Sequence, residues 1–177
     1  MQVFNLIPFP SNTTPKISIT GDIKRMENHL SVRYEMRGNV EQIAFPTRSE
    51  LPTRKDDLWK TTCFELFLAI PDKPHYWEFN MSPSGDWNIY KMDAYRKIGF
   101  REEMSFEQIQ FKARKDANEF VLSAYIDLNP LFEEDQILEG SMTAIIQTED
   151  GNETYWAIKH PGEQADFHLR ESFTIDL

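Results

Sequence analysis

The stretch that decides the fold reads CFELFLAI (63–70), YWEFNM (76–81) and WNIYKM (87–92). Apolar and polar side chains alternate with a period of two along these segments, which predicts β-strands rather than helices. Residues 82–86, SPSGD, separate the second and third segments, and an early proline with a late glycine is typical of a tight turn. We therefore expect a strand at 61–70 and a hairpin over 76–92.

The same alternation marks segments on both sides of this stretch. They are 16–20, 29–37, 40–45, 106–114, 119–126, 141–147, 153–158 and 172–176. Helical hints are confined to 129–134 and 93–100. About ten short strands with one or two short helical turns predict an all-β fold, either an antiparallel β-sandwich or a closed barrel. The 177-residue length and the absence of repeats and linkers predict a single domain, 1–177.

The overall charge limits the classes of partner. The chain has 19 Lys and Arg residues against 29 Asp and Glu residues, which gives a formal net charge of -10. Such a chain repels phosphate backbones and anionic membrane surfaces. We therefore expect no nucleic-acid partner and no membrane partner.

The sequence also predicts a compartment. No apolar run approaches the roughly 20 residues of a membrane span, and residues 1–16 lack the basic start and apolar centre of a secretory leader. Cys63 is the single cysteine, so an internal disulfide and a Cys-based zinc site are excluded. We expect a cytoplasmic protein, although a mature secreted form would share these features.

Two acids and an amide interrupt the apolar pattern of the central strands. Glu65 has apolar neighbours, while Glu78 and Asn80 share one strand face. A charged carboxylate that is buried without a partner is strongly unfavourable. Two interpretations of Glu65 therefore stay open: a structural carboxylate paired with an arginine such as Arg96, or a carboxylate that opens onto a cleft.

Aromatic residues accompany these polar groups. We expect Trp77 and Phe79 to lie in the core, and Trp59 and Trp87 to be exposed, beside a long connection and just after a turn. That connection, 46–57, is polar and contains two prolines, so we expect it to overhang a site. Aromatic rings cover the C–H faces of sugars, while carboxylates and amides bind the sugar hydroxyls. This combination therefore suits a polyhydroxylated ligand.

Three segments resemble the DOMON-like domains, a family related to the family-nine carbohydrate-binding modules. They are LWKTTCFELFLA (58–69), YWEFNMSPSGDWNIYKMDAYRK (76–97) and HPGEQADFHLRESF (160–173). The resemblance covers about residues 50–177, and WEFNMSPSGDWNIY (77–90) is its most specific part. It implies a β-sandwich of jelly-roll type with a ligand pocket on one face or end, where some branches bind sugars and others bind haem.

The resemblance implies most of the predicted site. The acid of CFELFL is Glu65, the aromatic residue before it is Trp59, and the EFNxSPSGxW motif contributes Glu78, Asn80 and Trp87. To these we add Tyr90, on the returning strand, and Arg96, which we expect to orient a carboxylate from below. The predicted ligand-binding residues are therefore Trp59, Glu65, Glu78, Asn80, Trp87, Tyr90 and Arg96.

A metal or haem site is a weaker hypothesis. Asp166 and His168 point the same way on an extended chain, and His160 lies nearby in sequence. The polar residues around Gly162 equally suit a surface loop, and there is no C-x-x-C-H haem attachment. We therefore predict no cofactor, with noncovalent haem as the open alternative.

The functional prediction is a noncatalytic domain that binds a carbohydrate or a similar polar small molecule. Two alternatives are a haem- or metal-binding redox module and a protein-interaction module that docks or dimerises through its aromatic face. A glycosidase-like role for Glu65 and Glu78 needs two carboxyl groups in one desolvated cleft, and Cys63 in an apolar strand is expected to be an inert thiol.

Overall fold

The computed structural model describes residues 1–96 and 100–177, and twelve β-strands form within them. Their bounds are β1 Gln2–Pro8, β2 Ile17–Met26, β3 His29–Gly38, β4 Cys63–Ala69, β5 Tyr76–Met81, β6 Trp87–Met92, β7 Arg101–Glu102, β8 Gln110–Lys115, β9 Glu119–Asp127, β10 Glu139–Gln147, β11 Glu153–Ala157 and β12 Ile175–Asp176. The helical segments in this part of the chain are the 3-10 helices Val40–Gln42, Leu58–Lys60 and Arg170–Ser172. The predicted all-β class is confirmed.

One antiparallel path connects the strands in the order β7-β6-β5-β4-β10-β11-β1-β2-β3-β9-β8, and β12 pairs with β10. Strand β1 joins the two halves of this path. Its residues 2–6 pair with β2, whereas Ile7 and Pro8 pair with Ala157 and Trp156 of β11. The sheet therefore curls back on itself, and we call its halves the β4 half (β4–β7, β10, β11) and the β3 half (β2, β3, β8, β9).

The core lies between these two halves. Phe64 of β4 stacks on Phe120 of β9 with ring centroids 5.3 Å apart, and the Tyr34 hydroxyl of β3 donates to the Glu65 carbonyl. One cluster of buried apolar side chains includes residues of both halves. Full burial of a large apolar side chain contributes roughly 1.5–3 kcal/mol, so this shared core holds the halves against each other.

The central hairpin forms as predicted. Strands β5 and β6 have the bounds expected from the sequence, and their turn is closed by the Gly85 amide, which donates to the Ser82 carbonyl. Gly85 has φ +98°, a conformation that side chains with a Cβ rarely adopt. The glycine of SPSGD is therefore required by the backbone of the turn.

The predicted strand at 40–45 is wrong. Val40–Gln42 is a 3-10 helix, and Ile43 forms a single bridge to Thr148. Val40 and Ile43 are both fully buried. The apolar residues of this segment are therefore anchors of a tight turn, three residues apart, rather than the inward face of a strand.

The structure differs from the sequence-based expectations in two further places, and one expectation lies partly outside the described residues. Residues 129–134 form turns and no helix. Strand β1 was not predicted. The helical hint at 93–100 includes 97–99, which lie outside the described residues. In the described part of the chain no helix is long and apolar enough to span a membrane.

The connection 46–57 runs beside β6 and is fixed there by a buried carboxylate. Asp86 accepts hydrogen bonds from the Ser49 hydroxyl (2.6 Å), the Lys55 ammonium (2.8 Å) and the Thr53 amide (3.1 Å). These bonds outweigh burial, which alone raises the pKa of a carboxyl, and they lower the Asp86 pKa to about 2. The connection ends in the 3-10 helix Leu58–Lys60, so Asp86 helps to position Trp59.

Candidate ligand-binding cleft

The pairing of three strands assembles a polar patch on the face of the β4 half that is turned away from the shared core. Glu65 on β4 lies opposite Asn80 on β5 and opposite Thr143 on β10. Glu78 lies two residues before Asn80 on the same face of β5. Such diagonal neighbours on adjacent strands are roughly 7 Å apart, so the two acids share one small area of the sheet.

A cleft of about 610 Å³ opens over these acids. Of the predicted residues, four line it: Trp59, Glu65, Glu78 and Arg96. The other lining residues are Met92, Phe100, Ile145, Tyr155, Ala165, Phe167 and His168. The expectation that the acids open onto a cleft therefore agrees with their geometry.

Glu65 is 2% exposed. The Thr143 hydroxyl donates to its Oε2 atom over 3.0 Å, and no donor among the described residues contacts its Oε1 atom. Burial raises the pKa of the Glu65 carboxyl well above its usual range, and the Glu78 charge adds to the effect more strongly than the Thr143 bond opposes it. Burial and the neighbouring charge therefore both favour the protonated form of Glu65.

Glu78 is 5% exposed. The Asn80 amide donates to its Oε1 atom over 2.7 Å, while Oε2 lies 4.0 Å from Nε2 of His168. Burial raises the Glu78 pKa to about 7, against the lowering effects of the Asn80 bond and of the Arg96 charge. At the roughly 7 Å typical of diagonal neighbours, two carboxylates repel by roughly 2 kcal/mol at an effective dielectric constant near 20, and this repulsion also opposes loss of the second proton of the pair.

Arg96 lies in the wall of the cleft. Among the described contacts it forms no ion pair with Glu65. Its guanidinium binds Oδ1 of Asp166 through Nε (3.2 Å) and Nη2 (3.0 Å), and the Tyr95 hydroxyl donates to Oδ2 (2.5 Å). The interpretation of Glu65 as a carboxylate paired with Arg96 is therefore wrong. The Arg96 charge acts on Glu78 only at longer range.

His168 is held neutral beside the acids. Its Nδ1 atom lies 2.8 Å from the Tyr76 hydroxyl, and its amide donates to Asp166. Burial lowers the His168 pKa to about 4, and the Arg96 charge lowers it further than the Asp166 charge raises it. A neutral imidazole does not compensate the charge of Glu78.

Aromatic side chains flank the acids along the sheet. On the β6 side, Tyr90 stacks on Phe100 (centroids 4.6 Å apart) and contacts the edge of Trp59 (5.5 Å). On the β11 side, Tyr155 packs against Phe167 with centroids 6.1 Å apart. Because β5 and β4 lie between β6 and β11 in the sheet, the carboxylates stand between two groups of rings.

Asn80 and Tyr90 do not line the cleft, but they contact residues that help to form it. Asn80 is fully buried, orients Glu78 through its amide nitrogen, and accepts a contact from the Cys63 thiol (3.5 Å). The Tyr90 hydroxyl donates to Asp56 (2.7 Å), which ties the end of the long connection to β6. Burial raises the pKa of the Cys63 thiol well above its usual range, as expected for an inert core thiol.

The prediction that Trp87 is exposed is wrong. Trp87 is 3% exposed and belongs to the shared core, and the Arg54 guanidinium covers its ring at 4.4 Å. It pairs with Met81 in the hairpin, which places it on the face opposite Glu78 and Asn80. Trp87 instead borders a second groove of about 570 Å³, which also includes Tyr125.

The three weak metal candidates have separate contacts. His160 Nε2 lies 2.9 Å from the Ile7 carbonyl, Asp166 binds Tyr95 and Arg96, and His168 faces Tyr76. Within residues 1–96 and 100–177, no group of three His, Cys, Asp or Glu side chains is arranged to hold a metal ion.

Most of the far wall of the cleft consists of residues that were not predicted from the sequence. Ile145, Tyr155 and Phe167 line it, and they come from β10, β11 and the C-terminal loop. Tyr155 alternates with buried Thr154 and Trp156, so its outward direction is visible in the sequence. Its position beside Glu65 depends on the pairing of β10 with β4, which no local pattern predicts.

No family model matches the chain, and no curated protein matches it in sequence. Similarity is found among solved structures. A candidate carbohydrate-binding protein of Bacteroides uniformis ATCC 8492 matches with a TM-score of 0.70 at 12% identity, over 98% of this chain and 84% of that one. A family 9 carbohydrate-binding module (CBM9) of Caldicellulosiruptor kristjanssonii, in complex with cellotriose, matches with a TM-score of 0.60 at 12% identity, over 98% and 80%.

The fold is an antiparallel β-sandwich similar to that of the CBM9 module. At 12% identity these similarities describe the arrangement of the strands and not the ligand. They agree with the curled antiparallel sheet and the shared core described above.

Proposed function

We propose that this chain is a noncatalytic binding domain that recognises a carbohydrate in the cleft over Glu65 and Glu78. The observation that carries the proposal is the pair of buried carboxyl groups, each with an oxygen atom that no described donor contacts, at the floor of an aromatic cleft. Carboxyl oxygens in fixed positions bind sugar hydroxyls with defined geometry.

The aromatic side chains support the same conclusion. Trp59 and Phe100 lie on one side of the acids and Tyr155 and Phe167 on the other, so a sugar that reaches the carboxyls also contacts ring surfaces. Rings that are already packed against neighbours lose little side-chain entropy on binding. We assign Trp59, Glu65, Glu78 and Arg96 to direct contact, and Asn80 and Tyr90 to positioning.

The solved structures add to the proposal. One neighbour is described as a candidate carbohydrate-binding protein and the other is a CBM9 module that holds cellotriose. The relation to DOMON-like domains and the jelly-roll connectivity are parts of the same proposal, which follow from the resemblance of 77–90 to that family.

The proposal is tested by thermal shift with a panel of β-linked and α-linked oligosaccharides, including cellotriose. A ligand at 100 times its dissociation constant stabilises the fold by about 2.7 kcal/mol, which raises the melting temperature of a domain of this size by roughly 5–10 °C. Calorimetric titration then measures the affinity of each sugar that shifts the transition. Unshifted melting with every sugar argues against carbohydrate binding.

Matched aromatic variants locate the site. Trp59→Ala and Tyr155→Ala each remove a ring of the cleft, and we expect each to weaken binding about tenfold or more, which is about 1.4 kcal/mol. Tyr125→Ala removes a ring of similar size that is 50% exposed in the second groove, and it should leave affinity unchanged. A loss of affinity confined to Tyr125→Ala would move the site to that groove.

The noncatalytic part of the proposal has its own test. The protein is incubated with the tightest-binding oligosaccharide, and the products are separated by chromatography. We expect the oligosaccharide to remain intact. Release of shorter sugars that Glu65→Gln abolishes would assign hydrolysis to the acids.

A further inference from the structure

We infer that the cleft selects a sugar that carries a primary ammonium group, and that Glu65 and Glu78 bind this group together. The inference rests on the proposed carbohydrate function and narrows the class of ligand. It follows from the balance of charge at the floor of the cleft.

The two acids lack a cation among the described residues. The Arg96 guanidinium, which lines the cleft, binds Asp166 through two hydrogen bonds, and that carboxylate also accepts from Tyr95. His168 approaches Glu78 only to 4.0 Å and burial keeps it neutral. The remaining partners of the pair, Thr143 and Asn80, are uncharged.

Burial makes this arrangement unfavourable for two anions and favourable for an added cation. Both acids are at least 95% buried, where an opposite charge is attracted more strongly than in water. Without a ligand the pair takes up a proton, as its raised pKa values indicate. A ligand ammonium adds a positive charge beside the pair and donates to the two carboxyl oxygens that no described donor contacts.

The number of donors favours an ammonium group over a metal ion. Calcium and magnesium need six or more oxygen ligands, of which the floor supplies two carboxyl groups. In the described residues no third acid, histidine or cysteine completes a metal-binding cluster with them. An ammonium group needs only two or three acceptors, and its sugar ring then lies between the aromatic groups.

The test uses three disaccharides with the same β-1,4 linkage that differ only at carbon 2: cellobiose, di-N-acetylchitobiose and its deacetylated form. Calorimetric titration at neutral pH in the presence of a chelator gives each affinity. We expect the deacetylated, ammonium-bearing disaccharide to bind at least about tenfold more tightly than the two neutral ones.

Isosteric variants connect this preference with the acids. Glu65→Gln and Glu78→Gln keep the size of the side chains, and we expect each to reduce the affinity ratio between the ammonium-bearing and the hydroxyl-bearing disaccharide towards one. Glu41→Gln removes the same charge from an exposed surface position and should preserve the ratio. Because the readout is a ratio, a general loss of affinity in a variant does not imitate the effect.

The outcomes separate this inference from the proposed function. Equal binding of the three disaccharides, or tighter binding of a neutral one, overturns the ammonium inference and leaves carbohydrate binding in place. A preference that persists in both Gln variants also overturns it, because the preference then comes from the overall charge. If none of the three disaccharides binds, the inference is overturned for β-1,4-linked amino sugars. The wider oligosaccharide panel then tests whether the chain binds any carbohydrate.

Discussion

At the scale of single residues, the buried acids of the cleft are unfavourable for the stability of the fold. Glu65 and Glu78 ionise freely in the unfolded chain but resist ionisation in the folded one. For Glu78, a rise of the pKa from 4.5 to about 7 corresponds to a loss of roughly 3 kcal/mol of unfolding free energy at high pH. A structural role alone does not explain why two such groups lie in a cleft.

This energetic cost gives a pH dependence with a definite sign. An acid whose folded-state pKa is raised contributes full stability below its unfolded pKa and loses it as pH rises through the folded pKa. Between pH 6.5 and 8 the unfolding free energy should therefore fall by about 1 kcal/mol or more, as measured by urea denaturation. Below this window the lowered pKa of His168 acts in the opposite direction.

The Glu65→Gln, Glu78→Gln double variant is the control for this prediction. Its unfolding free energy should be nearly constant over the same window, and at pH 8 it should equal or exceed that of the wild type. A wild-type stability that rises with pH, or an equal slope in the double variant, would show that these acids are not the titrating groups.

The alternation of side chains along each strand explains which site residues the sequence could predict. Alternation places Glu65, Glu78 and Asn80 on one sheet face, and the same rule, continued through the hairpin, places Trp87 with Met81 on the other. The burial of Trp87 was therefore predictable. The engagement of Arg96 with Asp166 was not, because it joins residues 70 positions apart that lie on two loops.

At the scale of elements, the connection 46–57 depends on Asp86. Its carboxylate fixes Ser49, Thr53 and Lys55, and the end of the connection carries Trp59 to the cleft. We expect Asp86→Ala to lower the unfolding free energy by roughly 2–3 kcal/mol in urea denaturation, because three hydrogen bonds to a buried carboxylate are lost. We also expect weaker sugar binding, since Trp59 is then less firmly positioned.

A second variant distinguishes these two effects. Lys55→Met removes one exposed donor to Asp86 and leaves the others, so stability and affinity should change little. If Asp86→Ala destabilises the fold while sugar affinity stays at the wild-type value, the connection does not position Trp59.

At this scale, the pairing of distant strands is what the sequence does not predict. Hairpins such as β5–β6 and β10–β11 follow from turn residues between alternating segments. The pairing of β4 with β10 joins segments about 75 residues apart, and the role of β1 depends on two partners, β2 and β11. Local patterns contain neither kind of information, so the far wall of the cleft stayed unpredicted.

At the scale of the whole molecule, β1 and the shared core should make the two halves unfold together. Leu6 of β1 is 3% exposed and packs in that core. We expect Leu6→Ala to lower the unfolding free energy by roughly 2–5 kcal/mol in a single transition with an unchanged dependence on urea. Two separate transitions would show that the halves are independent units and would contradict a single domain over 1–177.

The most direct test of the central claim is a crystal structure of the chain soaked with the sugar that binds most tightly. The account predicts sugar density in the cleft, with hydroxyl or ammonium groups within hydrogen-bond distance of Oε1 of Glu65 and Oε2 of Glu78 and a ring against Trp59 or Tyr155. Sugar bound in the groove beside Tyr125, or a cleft in which protein side chains occupy those two oxygen atoms, would contradict it.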